Sequence, residues 1–65
     1  MCLGKVVVTG GGAAPQEIGD VVDIRTEGTA VTIATLFGEM HRFTNVAIAH
    51  ITMRAGIVVS LVELA

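Results

Sequence analysis

Few side chains in this 65-residue chain can do chemistry: one thiol, Cys2, two imidazoles, His41 and His50, and six carboxylates. Cys2 is the sharpest of them. A thiolate beside an α-amine and a backbone amide offers a metal sulfur and nitrogen ligands within one residue, a set that suits square-planar Ni(II) or Cu(II). One chain supplies too few ligands to close such a site, but a two-fold dimer brings the same residue twice. The competing reading of a lone cysteine is a small buried apolar residue with an inert thiol. Its place at the start of the chain weighs against secure burial.

The other candidates carry less. His41 stands among Glu39, Met40 and Arg42 beside a turn, and reads as a solvated edge histidine. His50, between Ala49 and Ile51, reads as a partly buried strand histidine. Neither belongs to a closely spaced His/Cys set of the kind that builds a zinc site. Asp20 and Asp23 are an odd number of residues apart, so on a regular strand they face opposite sides and form no acid–base pair. Gly10, Gly11 and Gly12 could cradle a phosphate, but no Lys-Ser/Thr pair follows them, and they read as a hairpin connection. With no Ser/His/Asp or Cys/His arrangement, the sequence points away from an enzyme.

The elements that must position these residues are strands. Residues 1–9 form the first, with Cys2, Gly4, Val6 and Val8 on one face and Leu3, Lys5, Val7 and Thr9 on the other. Residues 18–26 form a second, with Val22 and Ile24 on a dry face and Asp23 and Arg25 on a wet one; Glu27 and Gly28 make the turn. Residues 29–37 form a third, uncharged on both faces, and therefore expected to be the central strand. Gly38 and Glu39 turn the chain into residues 40–43, and Thr44 and Asn45 break the pattern before residues 46–53. Arg54, Ala55 and Gly56 make a tight hairpin into the last strand, residues 57–64. There Ile57, Val59 and Leu61 oppose Val58, Val62 and Leu64, so core is expected on one face and subunit contact on the other. Five or six short strands with tight turns predict an all-β domain over residues 1–65, a small SH3-like antiparallel β-barrel.

Composition adds exclusions. Hydrophobic residues make up 52% of the chain, and its mean hydropathy is +0.77. That is more aliphatic surface than so small a core hides, which predicts self-association. No apolar run approaches the ~18 residues of a membrane helix, and no secretory signal pattern opens the chain. A single cysteine cannot staple the fold internally, which fits a reducing cytoplasm. Lys5, Arg25, Arg42 and Arg54 are scattered and the net charge is −2, so the basic stripe of a nucleic-acid binder is missing and nucleic-acid binding is disfavoured.

Several stretches carry a resemblance: Met1-Cys2-Leu3-Gly4-Lys5-Val6-Val7, Glu17-Ile18-Gly19-Asp20-Val21-Val22, Thr35-Leu36-Phe37 and Arg54-Ala55-Gly56-Ile57-Val58-Val59-Ser60-Leu61. Together they resemble the CooT family over nearly the whole chain. These are small cytoplasmic nickel-binding proteins associated with maturation of nickel-dependent carbon monoxide dehydrogenase. The resemblance implies a homodimer that binds Ni(II) through Cys2 and serves as a nickel chaperone or sensor. Its partners would be carbon monoxide dehydrogenase or its maturation proteins. The absence of a long His-rich tail argues against a bulk nickel store. The alternative, from another class, is a small-barrel RNA- or protein-binding module without a metal role.

Overall fold

The computed structural model describes residues 3–10, 12 and 14–64, and these form six strands: β1 (Gly4–Thr9), β2 (Gln16–Glu27), β3 (Ala30–Thr35), β4 (Met40–Phe43), β5 (Val46–Thr52) and β6 (Val58–Glu63). The all-β expectation holds. The strands join in one sheet of order β4-β3-β2-β1-β6-β5. Four of the neighbouring pairs are antiparallel and β1–β6 is parallel, so the sheet is mixed rather than purely antiparallel. The ladder is open between β4 and β5, which corrects the expected closed barrel: the strands form a curled, open sheet.

The curl comes from β2. Its first half pairs with β1, where Val6 lies opposite Ile18 and Val8 opposite Gln16. Its second half pairs with β3, where Ile24 lies opposite Ile33 and Glu27 opposite Ala30. Val21 alone is paired in both ladders, with Gly4 and with Thr35. The strand bends next to it, at Asp20, whose φ of 55° is in the left-handed region that non-glycine residues rarely adopt. Both ladders shift register here, the mark of a β-bulge. The inward-facing residues of β2 consequently fall at Ile18 and Val21, both buried, and at Ile24, partly buried, three apart instead of two. This corrects the expected dry face: Ile24 packs against the core, whereas Val22 is 52% exposed.

Bending β2 brings the two halves of the sheet together around Val6, Val8, Ile18, Val21, Val31, Ile33, Val46, Val59 and Leu61. All but Leu61 are β-branched, with the stiff χ1 that suits a pleated surface. Elsewhere the two-residue period holds. Val6 and Val8 are buried on β1 while Lys5 and Thr9 are exposed. Val59 and Leu61 are buried on β6, with Val58, Ser60 and Val62 half-buried on its other face. β3 has neighbours on both sides but lies second from the edge, beside β4, rather than at the centre as its uncharged faces suggested, and it ends at Thr35. Leu36 and Phe37 leave it to form the tip of the β3–β4 hairpin. The Gly38 N–H donates to the Thr35 carbonyl (3.1 Å), and Gly38 takes φ 83°, a value glycine accepts at no steric cost.

Candidate functional site

Cys2 lies outside the described residues; the chain reaches them at Leu3. Leu3 and Gly4 form part of a groove of about 260 Å³, together with residues 21–24 of β2 and Ile57 ahead of β6. Among the described residues, the β1–β2 pairing reaches Gly4 and Val21, and from Val21 onward β2 is paired with β3. On the other wall, the Lys5 N–H donates to the Ile57 carbonyl (2.9 Å), which holds Ile57 beside the start of β1. The walls are apolar except for Asp23, whose carboxylate lies 3.2 Å from the Arg25 guanidinium. A Cβ placed on Gly4 would meet the Val21 carbonyl oxygen at 3.5 Å and the Ile57 carbonyl oxygen at 3.8 Å, so glycine leaves room there for about a methyl group.

The histidines are placed differently from one another. His41 is on edge strand β4, as expected, opposite the fully buried Ile33. Its side chain faces the core side of the sheet, is only 35% exposed, and approaches the Glu39 carboxylate at 3.7 Å. His50 is exposed, which corrects the partly buried reading. It faces outward on edge strand β5, opposite Ser60, just after a register irregularity between Ile48 and His50. Apolar neighbours in sequence, Ala49 and Ile51, do not bury a residue whose strand has a partner on one side only. Asp20 sits at the bend of β2 and Asp23 three residues after it, where the strand is not regular, and both are exposed. Among the described residues, no three His, Cys, Asp or Glu side chains are gathered so as to hold a metal ion.

Alternation did not reveal the exposed apolar surface at the hairpin tip. Leu36 (57%), Phe37 (75%) and Met40 (67%) project there. The Leu36 N–H bonds to the Asp20 carbonyl (2.8 Å), and the Thr35 hydroxyl accepts the Glu39 N–H (3.2 Å), so a tied-down turn presents these side chains. The sequence signal was available: Leu-Phe immediately before Gly-Glu is apolar where turn residues are ordinarily polar. Among the described residues, no helix is long and apolar enough to cross a membrane.

No protein-family model matches this chain, and no curated protein matches it.

Proposed function

We propose that this protein is a homodimeric nickel-binding accessory protein. It carries Ni(II) on Cys2 as a chaperone or sensor in the cytoplasmic maturation of a nickel-dependent carbon monoxide dehydrogenase. The observation that carries the reading is the chain's one thiol, placed in the Met1-Cys2-Leu3-Gly4-Lys5-Val6-Val7 opening that resembles the CooT family. The groove begins one residue further on, at Leu3. The described residues offer no competing cluster of three donors, so the ligands are taken to be the Cys2 thiolate, backbone nitrogen and the same groups from a second copy.

Surface chemistry supports the dimer. The protein exposes 4441 Å², against roughly 3,900 Å² for a monomer of its mass. Among the described residues, nine large apolar side chains are more than a third exposed, among them Phe37, Met40, Ile51 and Met53.

Nickel titration followed through the thiolate-to-nickel absorption in the near ultraviolet tests the reading. Wild type is expected to take up one ion per dimer, and Cys2→Ser to lose the band while its circular dichroism is unchanged. Tight nickel binding by Cys2→Ser would refute it. The tied-down apolar turn of Leu36 and Phe37 favours a second reading, a protein-binding module without a metal role; absence of nickel binding by wild type would leave that one standing.

A further inference from the structure

We infer that edge strand β5 docks a second copy of this chain, the two β5 strands pairing antiparallel across a two-fold axis with Ile48 of each opposite Ile51 of the other. The two edges of the sheet are defended differently. β4 is four residues long and carries Arg42, and short, charged edges discourage pairing with another chain. β5 runs seven residues, Val46–Thr52, without Lys, Arg, Asp, Glu or Pro, so it can meet its own copy without like-charge repulsion. Among the described residues its one strand neighbour is β6, and only the Val46 N–H, which donates to the Thr29 carbonyl (2.9 Å), finds a backbone partner elsewhere. A strand on that edge would lie three inter-strand spacings, ~14 Å, from β1, farther than the ~7 Å that the two residues before Leu3 can span. Residues 11, 13 and 65 are single and too short to line it.

The register irregularity between Ile48 and His50 sets the pairing. Directly opposed residues of antiparallel strands share a face. Ile48 lies opposite Leu61 and Ile51 opposite Val59, both buried, so the irregularity puts two isoleucines an odd number apart on one core-facing side. They are nonetheless 44% and 49% exposed, because the sheet ends at β5. Two-fold pairing of Ile48 with Ile51 gathers four such side chains on one face of a sheet continuous through both copies. Area agrees with this occupant. The surface of 4441 Å² exceeds the roughly 3,900 Å² of a monomer of this mass by ~500 Å², and two copies hiding that excess bury about 1,000 Å², the lower bound of a specific interface. The contact is separate from any that nickel makes between thiols, because β6 stands between β5 and β1, and it needs no metal.

The test is sedimentation equilibrium on the full chain, metal-free in chelator and reductant, over a concentration series. Wild type should be a dimer. Ile51→Lys, which sets a charge against the apolar side chain of the other copy, should raise the dimer Kd by about 100-fold with its circular dichroism unchanged. Met40→Lys places the same charge on the opposite edge strand and should leave the Kd within about threefold. A folded Ile51→Lys that dimerises as wild type does would overturn the inference, and so would equal weakening by the two variants. A monomeric wild type would overturn it as well. If Ile51→Lys fails to fold, hydrogen exchange on wild type decides. Amides of residues 47–52 whose protection rises with protein concentration support the inference, and protection there that ignores concentration overturns it. Because no nickel is present, this result and the titration of Cys2 can fail independently.

Discussion

Two leucines near the end of β6 offer a quantitative test of how the sheet curls. Leu61 is fully buried, paired with Val8 of β1 on one side and Ile48 of β5 on the other. Leu64, three residues later, is 39% exposed. Leu61→Ala removes three buried carbons and leaves a cavity, and such substitutions cost about 2–5 kcal/mol. The walls around Leu61 are mostly β-branched and stiff, which resists collapse. Ile48, at 44% exposure on an edge strand, can shift inward and relieve part of the loss. We therefore expect about 2–3 kcal/mol. A domain of this length has roughly 3–10 kcal/mol in total, so a large share of its stability goes. At 4–8 °C per kcal/mol, the corresponding fall in Tm is roughly 10–20 °C. Leu64→Ala should cost no more than ~0.5 kcal/mol, as an ordinary surface change does. Urea unfolding at one fixed protein concentration measures both, the fixed concentration being needed because self-association adds to apparent stability. A loss below ~1 kcal/mol for Leu61→Ala, or equal losses for the two variants, would refute the packing described.

Asn45 links β4 to β5 at φ 58°, and both its side-chain amide and its carbonyl bond to Leu64, each at 2.8 Å. Asn45→Ala should cost about 2 kcal/mol, from left-handed strain plus the lost side-chain bond, and Asn45→Gly about 1 kcal/mol; urea midpoints that do not separate the two would refute the strain argument. Val58 is half-buried on the outer face of β6 and paired with Lys5. Val58→Asp should leave monomer stability within ~0.5 kcal/mol, because the new carboxylate faces that lysine, yet weaken self-association by roughly 100-fold if this face is the subunit contact. Light scattering across a concentration series reads the second effect, and an unchanged dimer would place the contact elsewhere. Nickel affinity should rise with pH between about 6 and 8.5, since the metal must displace the proton of a thiol whose ordinary pKa is ~8.5. A pH-independent titration would remove the thiolate from the ligand set.

Much of this architecture was legible because alternation and burial agree wherever the chain is regular. A period of two put Val6 with Val8, Val31 with Ile33, and Val59 with Leu61 on shared faces, and all six are buried. The reading failed where the backbone leaves that period. Nothing in the run Gly19-Asp20-Val21-Val22 announces that Asp20 will take a left-handed conformation, and that one residue moves Val22 from core to surface. Leu36 and Phe37 were assigned to β3 on hydrophobicity alone, but Gly38 closes a turn back onto the Thr35 carbonyl and leaves them exposed. His50 was misjudged because pairing order, which sets the edges, is not written in local sequence. The candidate site was legible only as chemistry: a lone thiol in a familiar-looking opening, with Cys2 outside the described residues.

These departures have a common direction. Each leaves apolar side chains on the surface: Val22 along the groove, Leu36 and Phe37 at the hairpin tip, Ile51 on edge strand β5. A fold whose only task is its own stability gains by hiding such groups, and local rules are broken chiefly where function sets the requirement. The stretch beside the thiol bears this most plainly. The bend at Asp20 carries β2 from its pairing with β1 to its pairing with β3, and the groove beside it reaches Leu3, the residue after Cys2 in sequence. Substituting glycine at Asp20 preserves a left-handed bend, whereas valine, β-branched and intolerant of positive φ, opposes it. If the bend serves the site, Asp20→Gly should retain nickel binding. Asp20→Val should weaken nickel binding along with the fold, and unchanged nickel binding by a folded Asp20→Val would refute a link between the bend and the proposed site.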